Sequence, residues 1–167
     1  TLVGDEFRHL RIAGPSDIDA KRGLADGVLH LPYWLLGYEA LISLFVDRSD
    51  SNAPNQSMMM ANCINDAKRS TLAGVKENEI LANFTIDSPV PFNIDDVLQE
   101  LTKKNEEMVP GARAEKQGPY FDKLSRLIAR LDSKRNDRRL GFLFSPPADA
   151  QQMPWLGKMV QTLVGGR

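Results

Sequence analysis

Four basic residues are spaced so that they could hold phosphate groups. Lys123, Arg126, Arg130 and Lys134 recur every three or four residues, which places them on one ridge of a helix. Such a ridge can contact the phosphates of DNA, because lysine and arginine neutralise them directly. The commoner outcome is a solvated helix face with nearby carboxylates as partners, and Asp122 is one candidate partner.

Three more arginines, Arg135, Arg138 and Arg139, follow the same predicted helix. An arginine supplied to a neighbouring subunit can stabilise the charge that develops during phosphoryl transfer. Asp132 and Asp137 lie close by in sequence and could neutralise these arginines instead. The sequence alone does not single out one arginine as catalytic.

The other reactive side chains do not combine into an active site. Cys63 lies on a predicted apolar helix beside Ile64 and Ala67, which indicates a buried and inert thiol. His9 and His30 lie in different segments, and neither has metal-ligand spacing to Cys63. We therefore expect neither a metal site nor cysteine catalysis.

Neighbouring carboxylates and aromatic clusters also favour structural roles. Residues 95–96 and 106–107 are acidic pairs whose members are adjacent on a helix and therefore point in different directions. Met58–Met60 could form a pliable binding surface, although core filling is the commoner use of methionine. Residues 33–38 could stack on bases through their aromatic rings, but the surrounding leucines favour packing.

The composition describes an ordinary folded chain. Its 167 residues are 42% apolar and 26% charged, enough for one core, in a single domain or one lobe of a larger domain. The net charge of -1 gives no global attraction to nucleic acid. The apolar runs are shorter than the roughly 20 residues of a membrane helix. The single cysteine excludes an intrachain disulfide, and no secretion signal is recognisable, so we expect a cytoplasmic protein.

Hydrophobic periodicity predicts a mostly helical chain. Asn93 is a predicted N-cap, with Asp95 and Asp96 in the first turn, where the helix dipole favours anions. The predicted helices run from Tyr38 to about Phe45, from Pro54 to about Thr71 with Gly74 as the stop, from Asn93 to Met108, from Tyr120 to Leu131 and from Met153 or Pro154 to Gly165.

The remaining segments are predicted as strands, loops and connections. Two strands are expected, a weakly alternating one at Phe7–Ala13 and a buried one at Arg139–Phe144. The non-strand segments are a loop at 17–27, a run of mixed period at 28–36, an extended connection at 88–91 and a polar connector at 110–118.

The segment Leu31–Leu41, with the sequence LPYWLLGYEAL, resembles the LPYWLLNYEEL segment of HerA-type ATPases, DNA translocases of the HerA/FtsK superfamily. Gly37 and Ala40 stand where asparagine and a second glutamate are usual, so the match is to the family rather than to one member. Three further stretches resemble the same family in the same order: Ser88–Phe92, Arg138–Phe144 and Trp155–Gly157.

The resemblance implies a fold that is mainly α with a few short β-strands. It comprises a helical insertion and edge elements of a RecA-like α/β P-loop ATPase domain. Residues 1–36 would form a strand and a leading loop, with 10–13 in the motor sheet. Residues 37–134 would form the insertion, and 135–167 a returning strand and helix.

The resemblance also implies a parent protein that assembles into a hexameric ring and uses ATP and Mg²⁺ to move along double-stranded DNA as a translocase or helicase. Such parents often act with a nuclease or another effector subunit in DNA processing or antiviral defence. The phosphate-binding loop is missing from this sequence, since Gly157-Lys158 is followed by Met159. The family's metal-site aspartate would follow Arg167. We therefore expect no ATP hydrolysis by this segment alone.

A second hypothesis comes from a different class of protein. The aromatic and methionine-rich helices could form a stand-alone helical module that binds a protein partner and has no nucleotide chemistry. An independent enzyme is disfavoured, because no nucleophile, base and orienting group can be assembled from these residues.

Overall fold

A computed structural model describes residues 9–73 and 82–164. Its contacts divide the chain into two compact units, Thr1–Leu35 with Arg135–Arg167 and Leu36–Lys134. The second unit therefore interrupts the first along the chain. The fold is mainly helical with a few short strands, as predicted. In the described part of the chain, no helix has both the length and the apolar character needed to cross a membrane.

Helices of very different lengths account for most of the described structure. The α-helices are α1 Pro15–Asp19, α2 Tyr38–Phe45, α3 Ala53–Leu72, α4 Ile94–Glu106, α5 Ser125–Arg135, α6 Gly141–Phe144 and α7 Pro154–Val164. Short 3₁₀ turns span Leu24–Asp26, Tyr33–Leu35, Arg138–Leu140 and Ala148–Gln151. The strands are β1 Arg11–Ile12, β2 Val28–Leu29, β3 Met108–Val109 and β4 Lys116–Gln117.

The first unit contains a short parallel strand pair. Arg11 is in register with Val28, and Ile12 is in register with Leu29. Val28 is fully buried, whereas Ile12 keeps 47% of its surface exposed. The predicted strand at 7–13 is thus confirmed at Arg11–Ile12, while its first two residues lie outside the described part.

The segment 17–27 was predicted as a loop, and this prediction was wrong in part. Helix α1 ends at Asp19, and a 3₁₀ turn follows at Leu24–Asp26. Pro15 begins α1, where proline is favoured because its missing N–H needs no partner. The helix has only 5 residues, too few to produce a hydrophobic period.

The predicted strand Arg139–Phe144 is wrong as well. The segment forms the 3₁₀ turn Arg138–Leu140 followed by α6. The side chain of Asp137 accepts a hydrogen bond from the Arg139 backbone N–H at 2.9 Å and so starts the turn. Gly141 packs so closely against Ile18 of α1 that an added Cβ would collide with its Cδ1. A short apolar run cannot distinguish a buried strand from such a packed helical turn.

The second unit is built on helices that the sequence predicted well. Helices α2, α3 and α4 begin and end close to their predicted limits. The Asn93 side chain accepts a hydrogen bond from the Asp95 backbone N–H at 2.9 Å, which confirms the N-cap. Met108 was predicted on this helix but lies in β3, with 46% of its surface exposed. The stop at Gly74 lies outside the described residues.

The helix predicted from Tyr120 begins only at Ser125. Asp122 has a φ of 56°, which a right-handed helix does not allow. Its backbone N–H donates to Asn105 O at 2.9 Å, so the preceding turn is held by α4. The polar connector at 110–118 also contains β4, which pairs antiparallel with β3.

Candidate functional site

The predicted basic ridge forms only in part. Arg126, Arg130 and Lys134 lie on α5, but Lys123 precedes that helix, and its Nζ donates to Pro119 O at 2.6 Å. The Arg126 guanidinium lies 3.7 Å from an Asp50 carboxylate oxygen, and the Arg130 guanidinium lies 3.7 Å from one of Asp47. The structure thus pairs these two arginines with carboxylates of the α2–α3 connection, which sequence proximity did not suggest.

Both of these carboxylates are held in the charged state. Hydrogen bonds from the Ser49 side chain and backbone lower the pKa of Asp47, and Arg130 adds to the effect. A hydrogen bond from the Asn52 backbone N–H lowers the pKa of Asp50. Because the arginines remain substantially exposed, each pair contributes little to stability. This geometry matches the solvated-face alternative, and a phosphate contact by the ridge stays a prediction.

A polar cavity of about 510 Å³ adjoins the start of α5. Gln56 lines it with only 1% of its surface exposed. Its Nε2 donates to Asp50 Oδ2 at 3.1 Å and to Lys123 O at 3.2 Å. Gln56 thereby ties α3 to the turn before α5. The sequence analysis did not identify this residue, because a glutamine on a helix is usually exposed.

Two of the three candidate trans-acting arginines contact carboxylates. Arg138 Nη2 donates to Asp19 Oδ2 at 2.6 Å, and Arg139 Nη2 donates to Asp137 Oδ2 at 2.7 Å. Arg139 nevertheless keeps 85% of its side chain exposed. Arg135 ends α5. A role in trans for any of the three stays a prediction.

The buried cysteine and aromatic residues are part of the packing. Burial raises the pKa of Cys63 to about 11, so the thiol stays protonated and is a poor nucleophile. Met59 and Met60 are buried as expected, whereas Met58 is 45% exposed. Trp34 is 1% exposed, in line with packing rather than base stacking.

Residues of the segment Leu31–Leu41 contact distant residues of the first unit. The Leu31 N–H donates to Phe142 O at 3.1 Å, and the Trp34 Nε1–H donates to Ala150 O at 3.0 Å. The Tyr33 ring stacks on that of Phe144 with centroids 5.7 Å apart. Two of the four resembling stretches, which the sequence places more than a hundred residues apart, therefore fold against each other.

The resembling stretch Ser88–Phe92 is held by a buried lysine in the second unit. Lys68 is fully buried, and its Nζ donates to Ile86 O at 2.6 Å and to Ser88 O at 2.8 Å. The ammonium also lies 5.6 Å from the centre of the Phe92 ring. Burial lowers the pKa of Lys68 to about 8. Sequence reasoning missed this lysine, because lysine is almost never fully buried.

The first unit contains a second polar cluster that sequence reasoning missed. Asp17 is 1% exposed and accepts hydrogen bonds from Arg11, Arg22 and the Gly14 backbone N–H. Arg11 is the main cause of a pKa for Asp17 well below its usual range. His30 is equally buried, and its Nε2 lies 2.9 Å from Arg22 O. A local signal was available, because Asp17 occupies the third position of a helix that begins with proline.

Two cavities border this cluster. One of about 360 Å³ is lined by Lys21, Arg22, His30 and the segment 145–148. A larger one of about 570 Å³ shares Lys21 with it and reaches α7. Within residues 9–73 and 82–164, no three His, Cys, Asp or Glu side chains are grouped so that they could hold a metal ion.

Comparison with known proteins does not place the chain in a family: no protein-family model matches it, and no curated protein matches its sequence.

Proposed function

We propose that this chain is part of an ATP-driven, ring-forming DNA translocase or helicase of the HerA type. In this proposal the chain contributes subunit contacts and sheet elements, and its basic residues contact phosphates. ATP hydrolysis belongs to the assembled parent protein and not to this segment. The proposal rests on the resemblance of Leu31–Leu41 and on the way that segment packs.

The observation that carries the proposal is the long-range contact between resembling stretches. The backbone bond from Leu31 to Phe142 and the stacking of Tyr33 on Phe144 join the first stretch to the third. The second unit, Leu36–Lys134, is interposed between them in the chain. An insertion in a conserved motor core would give this order of contacts. The contacts thus support the proposed division into core elements and a helical insertion.

The strand pair of the first unit adds support. β1 and β2 are parallel, and parallel strands occur almost only in larger sheets whose faces are covered by helices. A two-stranded sheet is marginal by itself in water. Ile12 of β1 is 47% exposed, as expected for a strand that continues into a larger sheet. In the proposal, a RecA-like sheet of the parent protein supplies the further strands that this pair requires.

The proposal assigns ATP and Mg²⁺ to the parent protein. In this proposal, hydrolysis takes place in the assembled motor and not in this chain alone. The proposed parent forms a hexameric ring on double-stranded DNA, works with a nuclease or another effector subunit, and is cytoplasmic. The described helices include none suited to crossing a membrane.

ATP hydrolysis by the parent protein, with and without double-stranded DNA, is the decisive measurement. The test variant replaces Arg135, Arg138 and Arg139 with glutamine. If one of these arginines acts on nucleotide held by a neighbouring subunit, turnover falls by about 10³-fold or more while the ring persists. The control replaces Arg113 and Lys116 with glutamine; both are exposed and belong to the second unit, whereas the three test arginines belong to the first.

Each outcome has a definite meaning. A parent that hydrolyses no ATP, or a reading frame without a phosphate-binding loop, refutes the motor proposal. If the parent hydrolyses ATP and the triple substitution leaves its turnover unchanged, the motor proposal stands and the three arginines take no part in hydrolysis. Ring assembly is checked by light scattering, so that a loss of turnover is not confused with a loss of subunits.

One observation favours the helical interaction module as a second candidate. A groove of about 700 Å³ runs beside α4 and is lined by Leu98, Thr102 and Met108 among others. Met108 is 46% exposed, and methionine adapts its shape to a partner surface. In this alternative the groove holds an apolar side chain of a partner helix. Met108→Glu would abolish partner binding but leave ATP turnover by a motor parent unchanged.

A further inference from the structure

A cavity of about 360 Å³ lies beside the loop that follows α1. Lys21, Arg22 and His30 form one part of its wall, and the segment 145–148 forms another. Ile18 and two prolines give the cavity an apolar background. A few polar groups in a mainly apolar cavity of several hundred cubic ångströms are typical of small-molecule sites.

The backbone keeps Lys21 in a strained conformation. Its φ is 52°, in the left-handed region. The Lys21 N–H donates to Ile18 O at 3.0 Å and the Arg22 N–H donates to Asp17 O at 2.9 Å, so these residues close α1 with a Schellman motif. Glycine is usual at this position, because it adopts the left-handed region without strain. A lysine here is a local departure of the kind that occurs at functional sites.

The charges around the cavity favour an anion. Asp17 is shared between Arg11 and Arg22, so its single negative charge leaves one arginine charge uncompensated. No carboxylate of the described residues pairs with the Lys21 ammonium. Lys158 and Asp149, which carry opposite charges, both line the adjoining cavity of about 570 Å³. The positive excess therefore lies at Lys21 and Arg22.

His30 has an unmet hydrogen-bonding group at the same wall. Its Nε2 lies 2.9 Å from the Arg22 carbonyl oxygen, which assigns the proton to Nε2 and leaves a lone pair on Nδ1. No described residue donates to this Nδ1. A buried polar atom without a partner is unfavourable, and a ligand hydroxyl that donates to it removes that penalty.

We propose that this cavity binds a mononucleotide. Lys21 and Arg22 bind its phosphate group, and His30 accepts a hydrogen bond from a ribose hydroxyl. Among the described residues, Lys21 and the Nδ1 of His30 have no partner, and Arg22 shares one carboxylate with Arg11. The inference does not depend on the proposed motor function, because the site is built from residues of this chain and needs no metal ion.

The experiment is calorimetric titration of the 167-residue chain with adenosine monophosphate. Lys21→Gly removes the ammonium while relieving the backbone strain, so the variant stays folded. We expect it to bind about tenfold more weakly, the loss expected for one charge-assisted hydrogen bond. Lys21→Arg keeps the charge and should bind within about twofold of the original chain. Lys116→Ala, a charge removal in the second unit, should bind like the original chain.

Further probes separate the sources of the phosphate. Inorganic phosphate should bind more weakly than the mononucleotide with the same dependence on Lys21, and 2′,3′-dideoxyadenosine monophosphate should lose the contribution of His30. Lys21-dependent binding of duplex DNA without binding of the mononucleotide would overturn the small-molecule assignment. The site is refuted if the mononucleotide does not bind at millimolar concentration, or if folded Lys21→Gly binds it equally well.

Discussion

Each of the two units contains a buried polar centre, and the two differ in how completely their groups are paired. In the second unit, Lys68 donates to Ile86 O and to Ser88 O, and its ammonium lies against an aromatic ring. In the first unit, His30 has one paired nitrogen and one unpaired nitrogen. Both side chains are at most 1% exposed.

The difference separates a structural role from a candidate binding role. A buried charge that is hydrogen-bonded to the backbone stabilises the folded segment around it, because removing the charge takes a donor away from each of its acceptors. A buried polar atom with no partner costs free energy in the folded state and stays available to a ligand. Paired centres should therefore be sensitive in stability measurements, and unpaired ones in binding measurements.

The largest predicted effect is the loss of the Lys68 ammonium. Lys68→Met keeps the side-chain bulk but removes the Lys68 donor from the Ile86 carbonyl oxygen, and it leaves Ser88 O with only the Val90 N–H as donor. We expect the free energy of unfolding to fall by about 2–4 kcal/mol, as measured by urea denaturation. Lys103→Met is the matched control, since Lys103 is 71% exposed, and it should change stability by less than about 0.5 kcal/mol. An equal loss in both variants would contradict a structural role for Lys68.

The next effect is a pH dependence that follows from the same lysine. Its folded-state pKa of about 8 lies below the ordinary lysine pKa of 10.5, so the unfolded chain binds more protons between these values. Stability should then rise with pH from about 8 to 10.5, by at most about 3 kcal/mol. Lys68→Met should lack this rise.

Cys63 acts in the opposite direction and must be removed for this test. Its pKa is raised from 9.0 to about 11, so the folded chain holds the thiol proton longer and stability falls over that range. Both chains are therefore compared in the Cys63→Ala background, by urea denaturation at each pH. A flat profile in the chain that retains Lys68 would show that its pKa is not lowered by folding.

The two buried tryptophans of the first unit give a sharper comparison of paired and unpaired groups. Trp34 and Trp155 are each 1% exposed, but among the residues that the structure describes only the Nε1 of Trp34 finds a partner, the Ala150 carbonyl oxygen. Trp34→Phe should therefore cost about 1–2 kcal/mol more than Trp155→Phe in thermal unfolding. If the two substitutions cost the same, pairing does not decide the contribution of these side chains.

The smallest predicted effect concerns the backbone at two left-handed positions. Lys21→Gly should stabilise the chain by up to about 1 kcal/mol, because glycine adopts the conformation without strain. Gly27 also has a left-handed backbone, with a φ of 69°, but it already carries the favoured residue. Gly27→Ala should therefore lower the stability of the chain by a similar amount. Calorimetric melting temperatures should move in opposite directions. A loss of stability in Lys21→Gly would show that its side chain contributes more than the strain costs.

The long helices could be predicted because their signals are local. α3 and α4 have a proline or asparagine at the start and apolar residues at helical spacing, and their stability comes from one buried face. The short elements gave no such signal. Arg139–Phe144 was predicted as a strand from its short apolar pattern. That pattern could not show that Gly141 would pack against Ile18 in a helical turn.

For the candidate sites too, the sequence indicated local features but not the contacts between distant residues. The sequence located the arginines of α5 but not their partners, since Asp47 and Asp50 come from a connection about eighty residues earlier. Asp17 and His30 were not recognised as one cluster, because a single carboxylate and a single histidine have no diagnostic spacing. Only packing shows that both are buried against the loop that contains Arg22.

Local sequence was enough to predict the mainly helical composition, the limits of the longer helices, the cap at Asn93 and the burial of Cys63. These follow from neighbouring residues, whose periodicity and side-chain chemistry act within a few turns. The tertiary structure alone decided which charged groups are paired, that Lys68 and His30 are buried, and that Lys21 borders a cavity. These depend on contacts between residues far apart in the chain, where burial sets both the cost of an unpaired group and its availability to a ligand.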